Sequence, residues 1–380
     1  MNIYLDHAAS TPLSETAKAY LTSLFDLYGN PSSTHSAGAQ VRQLIEDARR
    51  SVSDFIHADT GDILFTPSGS ASNTLAVKGL TSEDPQKNQY HVFYSPTSHK
   101  SMRAVCESCL WHTPLSVNAD GSIDIASLDA LLTQSGALKP LVCIEAANSE
   151  IGTIQHVREA GSVTHKHHGI LVVDATGYLP SMPVPMDIWK HDVDILTFSG
   201  HKLHALKGVG VVWKRSEIRL TPLIYGNQEQ GLIGGTESVL SIASLGKAVS
   251  EYDYSAVSSQ NRDYVYRRIT GMIPDCYLVG APVDSAMRLP NNLYLCFPGI
   301  DGESLMLLLD MNGIQVSTGS ACNSQSLSPS AVLTAIGMDK KDIHSCIRMT
   351  FSGKETKNQL DHVCRTLKQC VTFLKNCERR

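Results

Sequence analysis

The segment DILTFSGHK, from Asp194 to Lys202, joins a short apolar run to a turn that ends in a histidine and a lysine. An apolar run of this length, with β-branched and aromatic residues and a turn behind it, is typical of a buried strand. Amphipathic stretches separate this run from five similar ones, and the alternation predicts a parallel sheet covered by helices. Ligands of such sheets bind at the carboxyl ends of the strands. The other runs begin at Asp62, His91, Pro140, Gly169 and Gly208.

The composition is that of an ordinary globular protein, and 380 residues are enough for two domains. A formal net charge of -5 provides no basic field, so we expect no direct contact with nucleic acid. No stretch has the pattern of a signal peptide or a membrane span, so we expect a cytoplasmic protein without membrane contacts. Ten scattered cysteines do not form a disulfide framework, and most are expected to be buried packing thiols.

The pattern of the chain changes near residue 258. Residues 14–257 predict a large domain built on the sheet, and residues 1–13 with 258–380 predict a smaller α+β domain. A helical stretch from Ser238 to Met272, interrupted near 253–259, leads from one to the other. In the smaller domain we expect strands at 3–5 and 292–297, and helices at 303–311, 328–336 and 355–375.

Two charged residues stand where predicted strands end. Lys202 follows the run 194–198, and an amine that loses hydration there can condense with an aldehyde, although a single lysine in a turn is usually a surface residue. Asp174 ends the run that begins at Gly169, where it either caps the next helix or faces a buried cation. A lysine for a Schiff base and a carboxylate for a pyridine nitrogen are together what pyridoxal 5'-phosphate (PLP) requires.

A loop of small residues, TPSGSAS at 66–72, follows the first predicted strand and leads into a helix. Free backbone N–H groups and the helix dipole at such a turn favour an anion. Alone, the loop is equally consistent with an ordinary serine-rich helix cap. Beside Lys202 and Asp174, it predicts the binding site of the cofactor phosphate.

Eight motifs are distributed along nearly the whole chain. They are YLDHAASTP (4–12), YGNPSS (28–33), SHK (98–100), NSEIG (148–152), VDAT (173–176), SGHK (199–202), GTE (235–237) and STGSAC (317–322). In this combination and order the chain resembles the cysteine desulfurases of the class V aminotransferase superfamily, in the branch of nitrogen-fixation and iron–sulfur enzymes. The resemblance implies an α/β, fold-type I PLP-dependent transferase, whose large domain holds a mostly parallel seven-stranded sheet between helices.

The resemblance also implies roles for individual residues. Lys202 would carry PLP as a Schiff base, Asp174 would hold the pyridine nitrogen, and His99 would stack on the ring and move protons. Asn148 would lie near the phenolic oxygen of the cofactor or near the substrate. Arg348 would clamp the substrate carboxylate with its bidentate fork.

Further residues are implied at the phosphate and across a subunit boundary. Gly69, Ser70, Ser199 and His201 would hold the cofactor phosphate. Thr236 would reach the phosphate of the cofactor bound to the neighbouring subunit, which requires a homodimer. No metal site is predicted.

Residues 316–330 are small and polar, which predicts an exposed, mobile loop. Cys322 lies within this loop. A thiol on such an arm can attack a sulfur atom held at the cofactor, keep it as a persulfide and pass it on. The resemblance implies that Cys322 is this nucleophile, while the other nine cysteines, including the pair Cys106 and Cys109, are expected to be structural.

Four positions depart from the family pattern. Gly177 stands where a glutamine usually donates to the phenolic oxygen, Ala71 replaces a glutamate, Ser98 replaces an acid, and Ile233 replaces a common arginine. The residues expected to carry the chemistry are all present. The departures therefore suggest a specialised relative rather than a general housekeeping enzyme.

The expected reaction converts L-cysteine to L-alanine and leaves the sulfur on Cys322 for a sulfur-acceptor protein. Iron–sulfur assembly, tRNA thiolation and DNA phosphorothioation all use this enzyme type. A selenocysteine lyase or an aminotransferase of the same superfamily is an alternative that would not need Cys322 as a relay. A non-catalytic paralogue that acts as a scaffold is another.

Overall fold

A computed structural model describes residues 2–59, 62–134, 136, 138–185, 189–318 and 329–378. The strands are β1 (Ile3–Tyr4), β2 (Ile63–Thr66), β3 (Tyr90–Tyr94), β4 (His112–Pro114), β5 (Lys139–Glu145), β6 (Ile170–Asp174), β7 (Ile195–Ser199), β8 (Gly210–Lys214), β9 (Tyr277–Leu278), β10 (Asn292–Cys296), β11 (Ile314–Gln315) and β12 (Cys346–Thr350). The largest sheet has the strand order β2-β8-β7-β6-β5-β3-β4. The pairs β4–β3, β3–β5, β5–β6 and β6–β7 are parallel, and the two pairs that involve β8 are antiparallel. This confirms the predicted mostly parallel seven-stranded sheet.

Six strands of this sheet are the predicted apolar runs, and the seventh is β4. It has three residues, lies at the edge of the sheet and buries only its middle residue in part. A run so short and so exposed carries no apolar signal. The search for apolar runs in the sequence therefore could not find β4.

Helices cover both faces of the sheet. The helices of the described residues are α1 (Glu15–Thr22), α2 (Ser36–Ile56), α3 (Gly69–Lys78), α4 (Lys100–Glu107), α5 (Ile125–Thr133), α6 (Val157–Lys166), α7 (Val239–Ser250), α8 (Gln260–Met272), α9 (Gly302–Met311), α10 (Ala331–Ala335) and α11 (Lys357–Glu378). Of these, α8, α9 and α11 pack in the core of the smaller sheets instead. Alternate residues of β5 enter opposite cores: Val142 and Ile144 join one hydrophobic cluster, while Leu141 and Cys143 join another. None of these helices has the length and apolarity that crossing a bilayer requires.

The smaller sheets lie outside the central one. Strand β1 pairs with β11 in parallel, and β12, β10 and β9 form an antiparallel sheet. The predicted N-terminal strand therefore pairs with a strand more than 300 residues away. Helix α7 ends at Ser250 and α8 begins at Gln260, as the predicted interruption requires. The domain boundary between 257 and 258 remains a prediction.

Two helical glycines provide a test of the packing between α2 and α7. A Cβ built on Gly246 of α7 would lie 2.5 Å from the Cα of Ala48 in α2, whereas one on Gly271 of α8 would meet nothing within 4 Å. Alanine is favoured over glycine in a helix by about 1 kcal/mol. We therefore expect Gly271→Ala to raise the free energy of unfolding slightly. We expect Gly246→Ala to lower it by about 2 kcal/mol, because backbone atoms must move.

Chemical denaturation of both variants measures these changes. Gly271→Ala is the matched control for helix propensity. An equal gain in stability for both variants would show that α2 and α7 are not in the close contact described.

Candidate active site

A cavity of about 450 Å³ opens at the carboxyl ends of the parallel strands. Its walls include the ends of β5, β6 and β7, the first residues of α3 and α4, and Arg348 of β12. This is the edge where a parallel sheet places its ligands. The sequence-predicted residues Lys202, Asp174, His99, Gly69, Ser70, Asn148, Ser199, His201 and Arg348 all line it.

Lys202 and Asp174 meet in this cavity because their strands are neighbours. Asp174 is the last residue of β6, and Lys202 closes a short 3-10 turn directly after β7. Asp174 is buried, and its Oδ1 accepts a hydrogen bond from the backbone N–H of Thr176 at 2.9 Å. Its Oδ2 accepts another from Nδ2 of Asn73 at 2.8 Å. Two N–H donors are the environment that stabilises a buried carboxylate.

Asn73 of α3 is a site residue that the sequence did not reveal. Its Nδ2 contacts both Asp174 and Oγ of Ser101, and its Oδ1 accepts a hydrogen bond from Oγ1 of Thr197 at 2.6 Å. The only signal was a polar residue inside a helix, and in this structure it is buried. Asn73 thereby fixes the orientation of the Asp174 carboxylate.

His99 is the N-cap of α4. Its Nδ1 accepts a hydrogen bond from the backbone N–H of Ser101 at 3.2 Å, so Nε2 carries the hydrogen of the neutral ring. Desolvation by the surrounding protein lowers the pKa of His99, and the positive charge of Lys202 lowers it further. At neutral pH the ring is therefore uncharged.

The first turn of α3 comes very close to the end of β7. Ser68 caps the helix by accepting a hydrogen bond from the N–H of Ala71 at 3.1 Å. A Cβ built on Gly69 would lie 2.9 Å from the Cβ of Ser199, so only glycine lets the helix start approach the strand this closely. The N–H groups of Gly69 and Ser70 begin a ten-residue helix, which favours an anion here.

His201 is held by the N-terminal segment. Its Nδ1 lies 3.2 Å from Oγ of Ser10, and its carbonyl oxygen accepts the N–H of Thr11 at 3.0 Å. Burial lowers the pKa of His201 to about 4, with the nearby charge of Lys202 contributing. Any role of His201 toward an anion at neutral pH is thus that of a neutral hydrogen-bond donor.

The side chain of Asn148 is fully engaged with protein groups. Its Nδ2 donates to the carbonyl of Thr97 at 2.7 Å and to Oε1 of Glu145 at 2.6 Å. Its Oδ1 accepts the N–H groups of Glu150 and Ile151. Since an amide has two N–H hydrogens, Asn148 has neither left for a ligand in this conformation. The contact of Asn148 with cofactor or substrate remains a prediction.

Arg348 lies in the middle of β12 and is buried. Its Nη2 donates to Oδ1 of Asp6 at 2.7 Å, and its Nη1 donates to the carbonyl of Ser149 at 2.9 Å. Its buried Nε finds no hydrogen-bond partner among the described residues. The guanidinium is thus fixed at the cavity wall with one donor unused.

Cys322 lies outside the described residues, in the stretch 319–328. The prediction of an exposed loop over residues 316–330 is wrong at both of its ends, because Val316, Ser317 and Ser330 are buried. Ser317 also pairs with Arg348 of β12 in a backbone bridge. A local count of polar residues could not anticipate these long-range contacts.

One buried carboxyl group connects the two ends of this loop. Oε1 of Glu150 accepts hydrogen bonds from Oγ of Ser330 at 2.7 Å and from the hydroxyl of Tyr294 at 3.0 Å. The same hydroxyl lies 3.1 Å from the carbonyl oxygen of Thr318. Residues 318 and 330 are therefore both anchored beside Glu150.

Thr236 and the departures from the family pattern lie in different environments. Thr236 is exposed and does not line the described cavity of this single chain. A Cβ built on Gly177 would lie 2.6 Å from the carbonyl oxygen of Ala147, so a side chain there requires the backbone to move. Ser98 has a buried Oγ without a partner among the described residues, and Ile233 is part of the core.

The nine cysteines in the described ranges are free thiols. Eight are buried, including Cys106 and Cys109, as expected for packing residues, and Cys377 is exposed. Burial raises the pKa of Cys109, which makes its thiol less reactive. No group of three or more His, Cys, Asp or Glu side chains suited to a metal ion occurs within those ranges.

Known proteins are similar to this chain in sequence and in fold. The family described as Aminotransferase class-V matches residues 3–363. A cysteine desulfurase of Trichormus azollae is 35% identical over 384 residues, which cover 98% of this chain and 94% of the relative. The X-ray structure of a NifS-like protein from Rickettsia africae ESF-5 has a TM-score of 0.87 at 28% identity, and covers 98% of this chain and 100% of that chain.

A structure of SspA in complex with cysteine has a TM-score of 0.78 at 27% identity, and covers 93% of this chain and 99% of that chain. These neighbours confirm the predicted fold-type I architecture. Because the family match spans nearly the whole chain and a relative aligns over almost all of its length, this chain belongs to the class-V aminotransferase family.

Proposed function

We propose that this chain is a PLP-dependent cysteine desulfurase that converts L-cysteine to L-alanine and leaves the sulfur on Cys322. The observation that carries the proposal is the meeting of Lys202, Asp174 and Arg348 in one cavity. A reactive amine, a buried carboxylate and a guanidinium suit an amino-acid substrate handled by this cofactor. Relatives named cysteine desulfurases, and the neighbour in complex with cysteine, support the choice of substrate.

The residues of the cavity fit PLP. Asp174 keeps two N–H donors and presents a buried negative charge, which suits a protonated pyridine nitrogen. The close approach of Gly69 to Ser199 forms an anion cradle at the start of α3, which suits a phosphate. The unpartnered Oγ of Ser98 is a further donor at the cavity wall.

When bound, PLP supplies an electron sink that weakens the bonds at the reacting carbons of the substrate. Lys202 would hold the cofactor through Nζ and, once exchanged for the substrate amine, would move a proton at the substrate Cα. The neutral ring of His99 would lie over the cofactor and exchange a proton through Nε2. Arg348 would bind the substrate carboxylate and orient its side chain.

The sulfur transfer proceeds without an external oxidant. The Cys322 thiolate forms an S–S bond with the substrate sulfur, and the substrate Cβ–S bond breaks. The electron pair of that bond remains on the carbon, which takes up one proton and becomes the methyl group of alanine. Cys322 is thereby converted to a persulfide while the carbon is reduced by the same two electrons.

We further propose that the enzyme is a cytoplasmic homodimer that delivers sulfur to an acceptor protein. A residue that completes the site of a neighbouring subunit must be exposed when its own chain is considered alone. Thr236 is exposed in this way. Large apolar side chains at Tyr28, Ile224 and Tyr225 are also exposed, which favours an interface. The reduced state of the buried thiols suits the cytoplasm.

Lys202→Ala and Lys202→Arg test the cofactor assignment. Neither side chain can hold pyridoxal covalently and move protons as lysine does, so both variants should lose the yellow colour of lysine-bound PLP. We expect turnover of L-cysteine to fall by about 10³-fold or more. Absorption spectra and alanine release measure the two effects. Lys87→Ala, at an exposed site, is the control, and a colourless wild type would favour the scaffold alternative.

Cys322→Ser tests the sulfur relay. A hydroxyl cannot accept the sulfur, so alanine and sulfide release should fall by about 10²-fold or more while the bound-PLP spectrum is retained. Cys377→Ser, which changes an exposed thiol, should behave as wild type. Alanine release at the wild-type rate from Cys322→Ser would remove the relay and support the selenocysteine lyase or aminotransferase alternatives.

Arg348→Lys tests the carboxylate clamp. Lysine keeps the charge but loses the planar fork, so KM for L-cysteine should rise by about tenfold to a hundredfold with a smaller change in kcat. Steady-state kinetics separate the two. Arg158→Lys, at an exposed site, is the matched control. An unchanged KM would assign the carboxylate to another residue.

A further inference from the structure

A second carboxyl group lies beside Asp174 in the same cavity. Glu145 ends β5 as Asp174 ends β6, and the two residues are register partners on adjacent parallel strands. Register partners project from the same face of a sheet. Both side chains are buried, and both line the cavity.

The two carboxyl groups have different hydrogen-bond donors. Asp174 accepts one hydrogen bond from a backbone N–H and one from the amide of Asn73. Oε1 of Glu145 accepts a hydrogen bond from Nδ2 of Asn148 at 2.6 Å. The stronger set of donors belongs to Asp174, so Asp174 is the group that suits the negative charge.

Two buried carboxylates on adjacent strands of one cavity wall do not both ionise readily. Burial raises the pKa of Glu145 to about 8, and the hydrogen bond from Asn148 opposes the rise. Among the charged groups around it, Asp174 on β6 and Glu150 in the turn after β5 raise this pKa, while Lys202 in the turn after β7 lowers it. At neutral pH Glu145 therefore keeps its proton.

We propose that Glu145 is a further positioning residue of this site, a proton-bearing carboxyl group that fixes Asn148 and adds an acidic O–H to the cavity beside the Asp174 carboxylate. The inference rests on the proposed PLP site for its functional meaning. Glu145 accepts one of the two N–H hydrogens of Asn148, while the carbonyl of Thr97 accepts the other, so both groups orient this amide. Loss of the Glu145 proton would place a second negative charge next to Asp174.

Infrared spectroscopy of the full-length protein with PLP tests the protonation state. Wild type at neutral pH should show the C=O stretch of a protonated carboxylic acid that Glu145→Gln removes. The same band should disappear from wild type above the pKa of Glu145. Glu229→Gln is the matched control, because Glu229 is also buried but pairs with Arg49 at 2.9 Å and does not line this cavity, so the substitution should leave the Glu145 band unchanged.

The visible absorption of bound PLP gives a second readout. Wild type should show a pH-dependent step near the pKa of Glu145 that is absent from Glu145→Gln, since a new negative charge stabilises positive charge on Lys202 and the cofactor. At neutral pH the two proteins should bind PLP with affinities within about threefold of each other, because a neutral group replaces a neutral group.

Two results would overturn the proposal: a full acid band retained in Glu145→Gln, or identical pH titrations of the two proteins. These outcomes are separate from failure of the proposed function. The acid band reports on Glu145 without any turnover, whereas loss of the PLP assignment appears in the Lys202 variants.

Discussion

The buried negative charge of Asp174 is the constraint on which the rest of the site depends. A carboxylate at the end of a central strand is costly unless it is paired and hydrogen-bonded. Asn73 supplies one donor, and Asn73 can reach Asp174 only because α3 starts close against β7. That close start needs glycine at position 69. The close start of α3 therefore supports the Asp174 carboxylate as well as the proposed anion cradle.

Much of the fold could be predicted from the sequence because its signals are local. Six strands of the central sheet are continuous apolar runs since both of their faces are buried, and the break between α7 and α8 follows from residues 253–259. The features that the sequence did not predict depend on contacts between residues far apart along the chain. Strand β4 exists because β3 offers a free edge, and the ends of the 316–330 loop are buried because Glu150 and β12 contact them.

Some residues of the candidate site could be predicted from the sequence and others could not. Lys202 and Asp174 were predictable, since Asp174 ends an apolar run and Lys202 ends the short turn that follows another. Asn73 was not, because an amide within a helix has many ordinary explanations and its partner Asp174 is 101 residues away along the chain. Glu145 also ends an apolar run, but its role depends on Asp174, its register partner on the neighbouring strand. The role of Asn148 shows the limit of a motif: the amide is present, but its hydrogens are already in use.

The ion pair between Asp6 and Arg348 has a consequence for selectivity. The guanidinium already has an internal anion as its partner, so a substrate carboxylate bound by Arg348, as proposed, would have to share or replace that partner. The pair with Asp6 avoids leaving a desolvated cation when the site is empty. Competition with Asp6 would also lower the apparent affinity of Arg348 for a ligand carboxylate. A ligand without a carboxylate has no anion to replace Asp6, so it would gain nothing from the proposed clamp. Asp6, which lies two residues after β1, would therefore favour anionic ligands at this wall of the cavity.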